Sequence, residues 1–216
     1  MMQNVSLQVI EALHTSWQRA WAAAGASGGG LAVQQQLLAC YSEPHRKYHT
    51  LQHLAECVAT LEPALHLAEY PGEVEVGLWF HDAIYDVKSQ DNELKSAVWA
   101  ENALVEAGVP AEVSARVRSL VLATRHAVLP SSIDEQLLVD VDLSILGSPP
   151  PRFEEYEVQV RQEYAWVHGL IFRRKRRAVL QEFLRRPYIY STANFRNTLE
   201  AQARENLKWS IERLGG

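Results

Sequence analysis

The sequence predicts an all-α protein. Apolar residues recur at helical spacing along most of the chain. No two neighbouring segments show the alternation of apolar and polar residues that marks a half-buried β-hairpin. Glycine and proline cluster where the helical periodicity stops, at 25–30, 108–110 and 147–151. These three observations together favour a bundle of helices joined by short turns.

The elements follow in order from this periodicity. Predicted helices cover 5–24, 31–41, 49–65, 73–81, 92–107, 111–126, 134–146, 153–186 and 194–214. The stretch over 153–186 is one long helix or a broken pair, with Gly169 as the expected break. Four tryptophans, Trp17, Trp21, Trp99 and Trp166, are expected in the core rather than on a base-stacking surface.

The composition excludes several classes of partner. The chain has 216 residues, 47% of them apolar, and a formal net charge of -5. A mildly acidic chain has no overall attraction to nucleic acid or to anionic membranes, so we expect neither as a partner. The first residues lack the basic start of a signal peptide, and no apolar run approaches the ~20 residues of a membrane span. We therefore expect a cytoplasmic protein.

Two segments carry histidines in arrangements that suit metal chemistry. His49 and His53 lie four residues apart, which on a helix places them on one face, within reach of a shared ion or substrate. Taken alone, this segment is better explained by an ordinary pair of surface or core histidines. His81 and Asp82 follow an apolar stretch that predicts a buried helix end. A buried carboxylate needs a partner or a cation, and imidazole with carboxylate binds divalent metals well.

A third segment supplies another carboxylate. Leu138, Asp142, Ile145 and Leu146 follow helical spacing, so Asp142 is predicted on the core face of its helix. A carboxylate there is costly unless it is paired or bound to a metal. Asp140 falls closer to the edge of that face, and we interpret it as a solvated carboxylate or as one that supports a ligand.

The order His, His-Asp, Asp on three helices resembles the HD superfamily of metal-dependent phosphohydrolases, which are helical bundles with one or two divalent metals. The resemblance implies a ligand set of His53, His81, Asp82 and Asp142. Residues 48–54 also resemble the Tyr-His-Asn-x-x-His stretch of cyclic-nucleotide phosphodiesterases, in which the first histidine is a general acid. This second resemblance implies that His49 is the general acid. The chain differs from those enzymes in length and has no recognisable purine-clamping glutamine region.

A bacterial group of predicted HD phosphohydrolases of unknown substrate resembles the chain from about residue 41 to its C-terminus. The matching segments are 43–49, 80–86, 92–93, 96–97, 142–147, 189–190 and 203–207. The only candidate linker, the prolines at 149–151, is short and precedes an amphipathic helix, so we expect one HD-type domain over 1–216. Its expected metal-site core lies at about 41–147, with C-terminal helices 153–214 packed on it. The implied activity is hydrolysis of a phosphoester or phosphoanhydride of a small molecule, with a nucleotide as the expected class.

The expected cofactor is one or two divalent ions, with Mn, Mg, Fe, Ni, Co and Zn all left open. When bound, such an ion lowers the pKa of water and offsets phosphoryl charge, and Asp82 could bridge to a second ion. Weaker candidates for substrate binding are Arg46, Asp86, Glu93, His126 and Arg173. Their ordinary alternatives are loop solvation, favourable charge at helix ends and a solvated basic face over 173–177. Whether the protein forms a homodimer is left open.

Two rival functions remain. Some HD proteins hold two irons and activate oxygen, but that chemistry needs additional histidines, and His126 alone lies between Asp82 and Asp142. The second rival is a non-catalytic, metal-stabilised ligand-binding module. A purely structural metal site would not need an uncoordinated His49, which favours the enzyme.

Overall fold

The computed structural model describes residues 6–126 and 128–215. Its regular elements are helices, and the described residues contain no strand, so the all-α prediction is confirmed. Val5, the predicted start of the first helix, lies outside the described residues. The chain divides into two compact units, Met1–Val141 and Asp142–Gly216. Each is described by itself, and the prediction of one domain over 1–216 stays a prediction.

The first unit is built around one buried helix. Its helices are α1 (Leu7–Ala23), α2 (Leu31–Cys40), α3 (Leu51–Leu61) with a 3₁₀ helix (Glu62–Leu67), α4 (Pro71–Phe80), α5 (Asn92–Glu106), α6 (Ala111–Ala123) and α7 (Ile133–Asp142), whose last residue opens the second unit. Helix α4 packs against α1, α3, α5 and α6, and its residues from Gly72 to Phe80 are buried. A helix enclosed on every side needs no polar stripe, which explains why all but two residues from Gly72 to Phe80, Glu73 and Glu75, are apolar.

Two buried carboxylates of α4 are each paired with an arginine from a neighbouring helix. Arg19 of α1 donates to Glu75 at 3.0 and 2.6 Å, and Arg116 of α6 donates to Glu73 at 2.8 and 2.6 Å. Such two-point contacts are directional as well as strong. They orient α4 about its axis and thereby help to position the residues at its C-terminal end.

The aromatic core of this unit confirms part of the tryptophan prediction. Trp17 stacks on Trp21 with ring centroids 4.8 Å apart and meets Trp79 edge-on at 5.2 Å. Trp99 is half-buried. Trp166 is 57% exposed, so its assignment to the core was wrong. It lies in the turn between two helices of the second unit, outside the apolar stripe of either.

The second unit consists of a 3₁₀ helix (Leu143–Gly147), α8 (Pro150–Glu163), α9 (Gly169–Arg185) and α10 (Ala193–Gly215). Helix α10 packs against α9 and the 3₁₀ helix. The predicted broken pair over 153–186 is confirmed, but the break precedes Gly169, which is the first residue of α9. Across the described part of the chain, no helix combines the length and apolar character needed to cross a membrane.

Candidate metal centre

Three of the four predicted metal ligands converge on one point. His53 lies on the first turn of α3, His81 is the C-cap residue directly after α4, and Asp82 follows it. The Nε2 atoms of His53 and His81 are 3.1 Å apart. Asp82 Oδ2 lies 3.1 Å from His81 Nε2 and 3.5 Å from His53 Nε2. Among the described residues these three side chains form a group that could hold a metal ion.

The spacing of these three atoms matches that of ligands around a common cation. A metal–ligand distance of about 2.1 Å separates two ligands by about 3.0 Å at a right angle and by about 3.4 Å at a tetrahedral angle. The observed separations of 3.1, 3.1 and 3.5 Å span this range. Two imidazole nitrogens and one carboxylate oxygen are also a common donor set for first-row divalent metals.

The hydrogen bonds of His81 leave the correct nitrogen for a metal. His81 Nδ1 lies 2.6 Å from the carbonyl oxygen of Leu78, and a carbonyl only accepts, so Nδ1 carries the proton. In the neutral imidazole, which is the form that binds a metal, the lone pair is then on Nε2, the nitrogen that faces His53 and Asp82. A backbone carbonyl on the far nitrogen is the usual way in which proteins orient a metal-binding histidine.

The His53 ring is enclosed by neighbouring side chains. Cys57 Sγ lies 3.6 Å from Nδ1 and 3.8 Å from Nε2, and the Tyr48 ring centroid lies 4.6 Å from that of His53. His53 and His81 are each only 1% exposed, whereas the Asp82 side chain is 18% exposed. Of the three side chains, that of Asp82 is therefore the one in appreciable contact with solvent.

The charge of Asp82 follows from its neighbours. Burial raises the pKa of the carboxyl group, but the charges of His81 and His49 and the hydrogen bonds from His53 and His81 outweigh burial. The pKa of Asp82 is consequently held well below its usual value. The carboxylate is thus ionised at neutral pH, which is the form that binds metals.

The backbone around Asp82 is held by two side chains that precede α3. The hydroxyl group of Tyr41 donates to the carbonyl of Trp79 at 3.2 Å and accepts from the N–H of Asp82 at 3.3 Å. Arg46 donates through Nη1 to the carbonyl of Asp82 at 2.6 Å and through Nη2 to that of Ala83 at 2.9 Å. These contacts tie the α2–α3 connection to the segment that carries His81 and Asp82.

Arg46 therefore differs from the phosphate clamp that the sequence predicted. Its side chain has no exposed surface, its Nε donates to Glu43 at 2.9 Å, and Nη1 also lies 3.3 Å from the carbonyl of His49. The guanidinium carbon lies 5.3 and 5.4 Å from the ring centroids of Tyr41 and Tyr85. A group enclosed in this way cannot bind phosphate without giving up these contacts, so we assign it a positioning role.

His49 does not lie on the helix of His53, which corrects the predicted start of the third helix. Thr50 is extended, with φ -113° and ψ -177°, and its hydroxyl accepts from the N–H of Gln52, so α3 begins at Leu51. Threonine is a favoured N-cap because its oxygen satisfies a free N–H of the first turn. The His49 ring lies 5.8 Å from that of His53 and 4.2 Å from that of Tyr85.

The two aspartates of α7 differ from expectation in burial. Asp140 has no exposed surface, so its interpretation as a solvated carboxylate was wrong, whereas Asp142 is half-buried. The α-helix ends at Asp142 and continues as a 3₁₀ helix, which has three residues per turn. The α-helical spacing that placed Asp142 on one face with Ile145 and Leu146 therefore does not hold beyond Asp142. Asp142 belongs to the second unit, and its role as a fourth ligand stays a prediction.

The weaker candidates are dispersed. Asp86 is exposed, and its carboxylate accepts from the N–H of Lys88 at 2.9 Å, which favours the loop interpretation. Glu93 is half-buried in the first turn of α5. His126 lies beyond the end of α6 with a left-handed φ of 54°, so the predicted helix of 111–126 is too long. Arg173 is exposed on α9 in the second unit.

Sequence reasoning missed two neighbours of the site. Cys57 lies four residues after His53 on α3, and this helical spacing alone predicts their contact. Tyr85 contacts both His49 and Arg46, but it lies in an irregular segment whose path the sequence does not specify.

Comparison of the chain with protein-family models, curated proteins and solved structures found no match. The case for a metal centre therefore rests on the geometry of its own residues.

Proposed function

We propose that this protein is an HD-type metal-dependent phosphohydrolase that cleaves a phosphoester or phosphoanhydride of a small molecule, with nucleotides as the expected class. The observation that carries the proposal is the convergence of His53 Nε2, His81 Nε2 and Asp82 Oδ2 at separations of 3.1 to 3.5 Å. A His-Asp pair at one helix end, completed by a histidine from another helix, is the arrangement that the resemblance implies.

The donor set suits the proposed cofactor. His53, His81 and Asp82 would hold a divalent ion, with Asp142 as the proposed fourth ligand, and nitrogen donors favour first-row transition metals over magnesium. Such an ion lowers the pKa of a bound water and offsets charge on phosphoryl oxygens. Because the protein would supply only a few ligands, coordination positions would remain for water and substrate, as is usual in catalytic metal sites.

His49 is the proposed proton donor to the leaving oxygen. Its ring centroid is 5.8 Å from that of His53, close to the ligands without being one of the three converging groups. The Tyr85 ring at 4.2 Å and the Tyr48 ring at 4.8 Å restrict its orientation. A positioned general acid typically contributes 10²–10⁴-fold to the rate.

The test is a screen of the purified protein, loaded with manganese, for phosphate release from nucleotides and phosphomonoesters. We expect turnover of at least one substrate and its loss in His81→Ala. The matched control is His66→Ala, because His66 is an exposed histidine of the same unit and its Nδ1 lies 2.9 Å from the nearby carbonyl of Pro63. The control should retain both metal and activity.

The same preparation separates the rivals. Oxygen uptake after loading with iron, without phosphate release, would replace the proposal by the oxygenase. Stoichiometric metal binding without turnover of any substrate in the panel would favour the non-catalytic module. Activity that persists in His81→Ala would show that another site carries it.

A further inference from the structure

The second unit carries a groove whose walls are cationic. It has a volume of about 560 Å³ and runs between α9 and the C-terminal end of α10. Its charged members, Arg173, Arg174 and Arg177, lie on neighbouring turns of α9 and are all exposed. The remaining lining includes the amide of Gln181 and the aliphatic side chains of Leu170 and Leu214. No residue of the candidate metal centre contributes to it.

Ion pairs within the described residues hold four other arginines of the same unit, Arg152, Arg176, Arg185 and Arg204. Arg176, on the same helix, donates to Glu157 at 2.5 Å and to the hydroxyl of Tyr156 at 2.8 Å. Within 6–126 and 128–215, no carboxylate lies within ion-pair distance of Arg173, Arg174 or Arg177. Like charges one helical turn apart destabilise a helix, so the cluster carries a cost that a bound anion would remove.

We propose that this groove binds a ligand with clustered phosphate groups. Guanidinium groups present forked donors that match phosphate oxygens, and three of them in one groove favour several phosphates over one. The volume falls within the usual range of small-molecule sites. The ligand is either a soluble oligophosphate or the phosphorylated headgroup of a lipid, and these sources share the chemistry that the groove recognises.

The experiment uses the full chain in metal-free buffer, with inorganic tripolyphosphate as the probe, followed by titration calorimetry and thermal unfolding. We expect saturable 1:1 binding and a higher unfolding temperature, because a ligand that binds only the folded state stabilises it. Arg173→Gln/Arg177→Gln should weaken binding at least about tenfold, since it removes two charge-assisted donors.

The matched control is Lys175→Gln/Arg185→Gln, which removes the same charge from exposed positions of α9 outside the groove. It should retain binding within about twofold if local contacts decide the affinity. Equal losses of tripolyphosphate affinity in both double variants would show that only the overall positive charge of the helix attracts the probe, and would overturn the proposed site. No binding to the parent protein, or binding unchanged in the groove variant, would also overturn it.

Co-sedimentation identifies the source of the phosphates. Phosphatidylcholine vesicles with phosphatidylinositol bisphosphate are compared with vesicles of equal charge that contain phosphatidylserine. Selective, groove-dependent sedimentation with the phosphoinositide supports the site with a lipid headgroup as its ligand. Tripolyphosphate binding without sedimentation supports the site with a soluble ligand.

Discussion

Replacing Arg46 by methionine should uncouple the metal centre from its backbone support. The variant keeps an unbranched apolar side chain but removes the donors to the backbone carbonyls of His49, Asp82 and Ala83. A buried acceptor left without a donor costs about 1–3 kcal/mol, and a part-buried one costs less. The loss of the Glu43 contact adds little, because that carboxylate is 41% exposed and regains water. We expect the free energy of unfolding to fall by about 2–5 kcal/mol.

The effect on metal binding distinguishes a positioning role from general stabilisation. Arg204→Met is the matched control, because Arg204 also donates to one glutamate and three backbone carbonyls, those of Leu184, Arg186 and Pro187. Both variants should lose stability in urea unfolding. Only Arg46→Met should weaken metal affinity, by about 10–100-fold, as is typical when the support of metal ligands is removed.

Zinc or manganese titration well below each unfolding midpoint provides the measurement, with circular dichroism to confirm that the helices remain. Metal affinity equal to that of the parent in Arg46→Met would refute the positioning role, even if stability falls as expected. Equal losses of affinity in both arginine variants would attribute the effect to destabilisation in general.

Three further predictions concern the site itself. Asp142→Ala should abolish metal binding while Asp140→Ala, at a fully buried position, should mainly lower stability or activity; metal analysis showing the reverse would contradict the assignment. His49→Ala should retain the metal but lose about 10²–10⁴-fold in turnover. The loss should be smaller for nitrophenyl substrates, whose leaving group needs no protonation. Equal losses for nitrophenyl substrates and for substrates with poor leaving groups would contradict the general-acid role. Because the pKa of Asp82 is lowered in the folded protein, its contribution to stability is complete above its unfolded pKa of about 3.9 and is lost as pH falls through the folded pKa. Asp82→Asn should therefore flatten the acid side of the stability curve of the metal-free protein, and an unchanged curve would contradict this linkage.

The helices and the convergence of three candidate ligands, His53, His81 and Asp82, could be predicted because both depend on local pattern. The apolar run from Val76 to Phe80, directly before His81, identifies a buried helix end, and helical spacing identifies the face of α3 that carries His53. The prediction that the third helix starts at His49 was wrong, because the hydroxyl group of Thr50 caps the helix and α3 begins at Leu51. Arg46 was misassigned because its side chain contacts carbonyls 36 and 37 residues away, which no local pattern encodes.

The place where α4 ends is itself part of the candidate centre. In a continuing helix, the carbonyl of Leu78 would accept from the N–H of Asp82, four residues on. Instead, it accepts from Nδ1 of His81 at 2.6 Å, while the N–H of Asp82 donates to the hydroxyl of Tyr41. Tyr41 thus takes over the donor that helix termination releases, and the freed carbonyl sets the His81 tautomer that presents a lone pair on Nε2. Because the helix end, the tautomer and the path of Asp82 depend on the same few hydrogen bonds, a change that restores one more helical turn would separate the three groups of the candidate metal site.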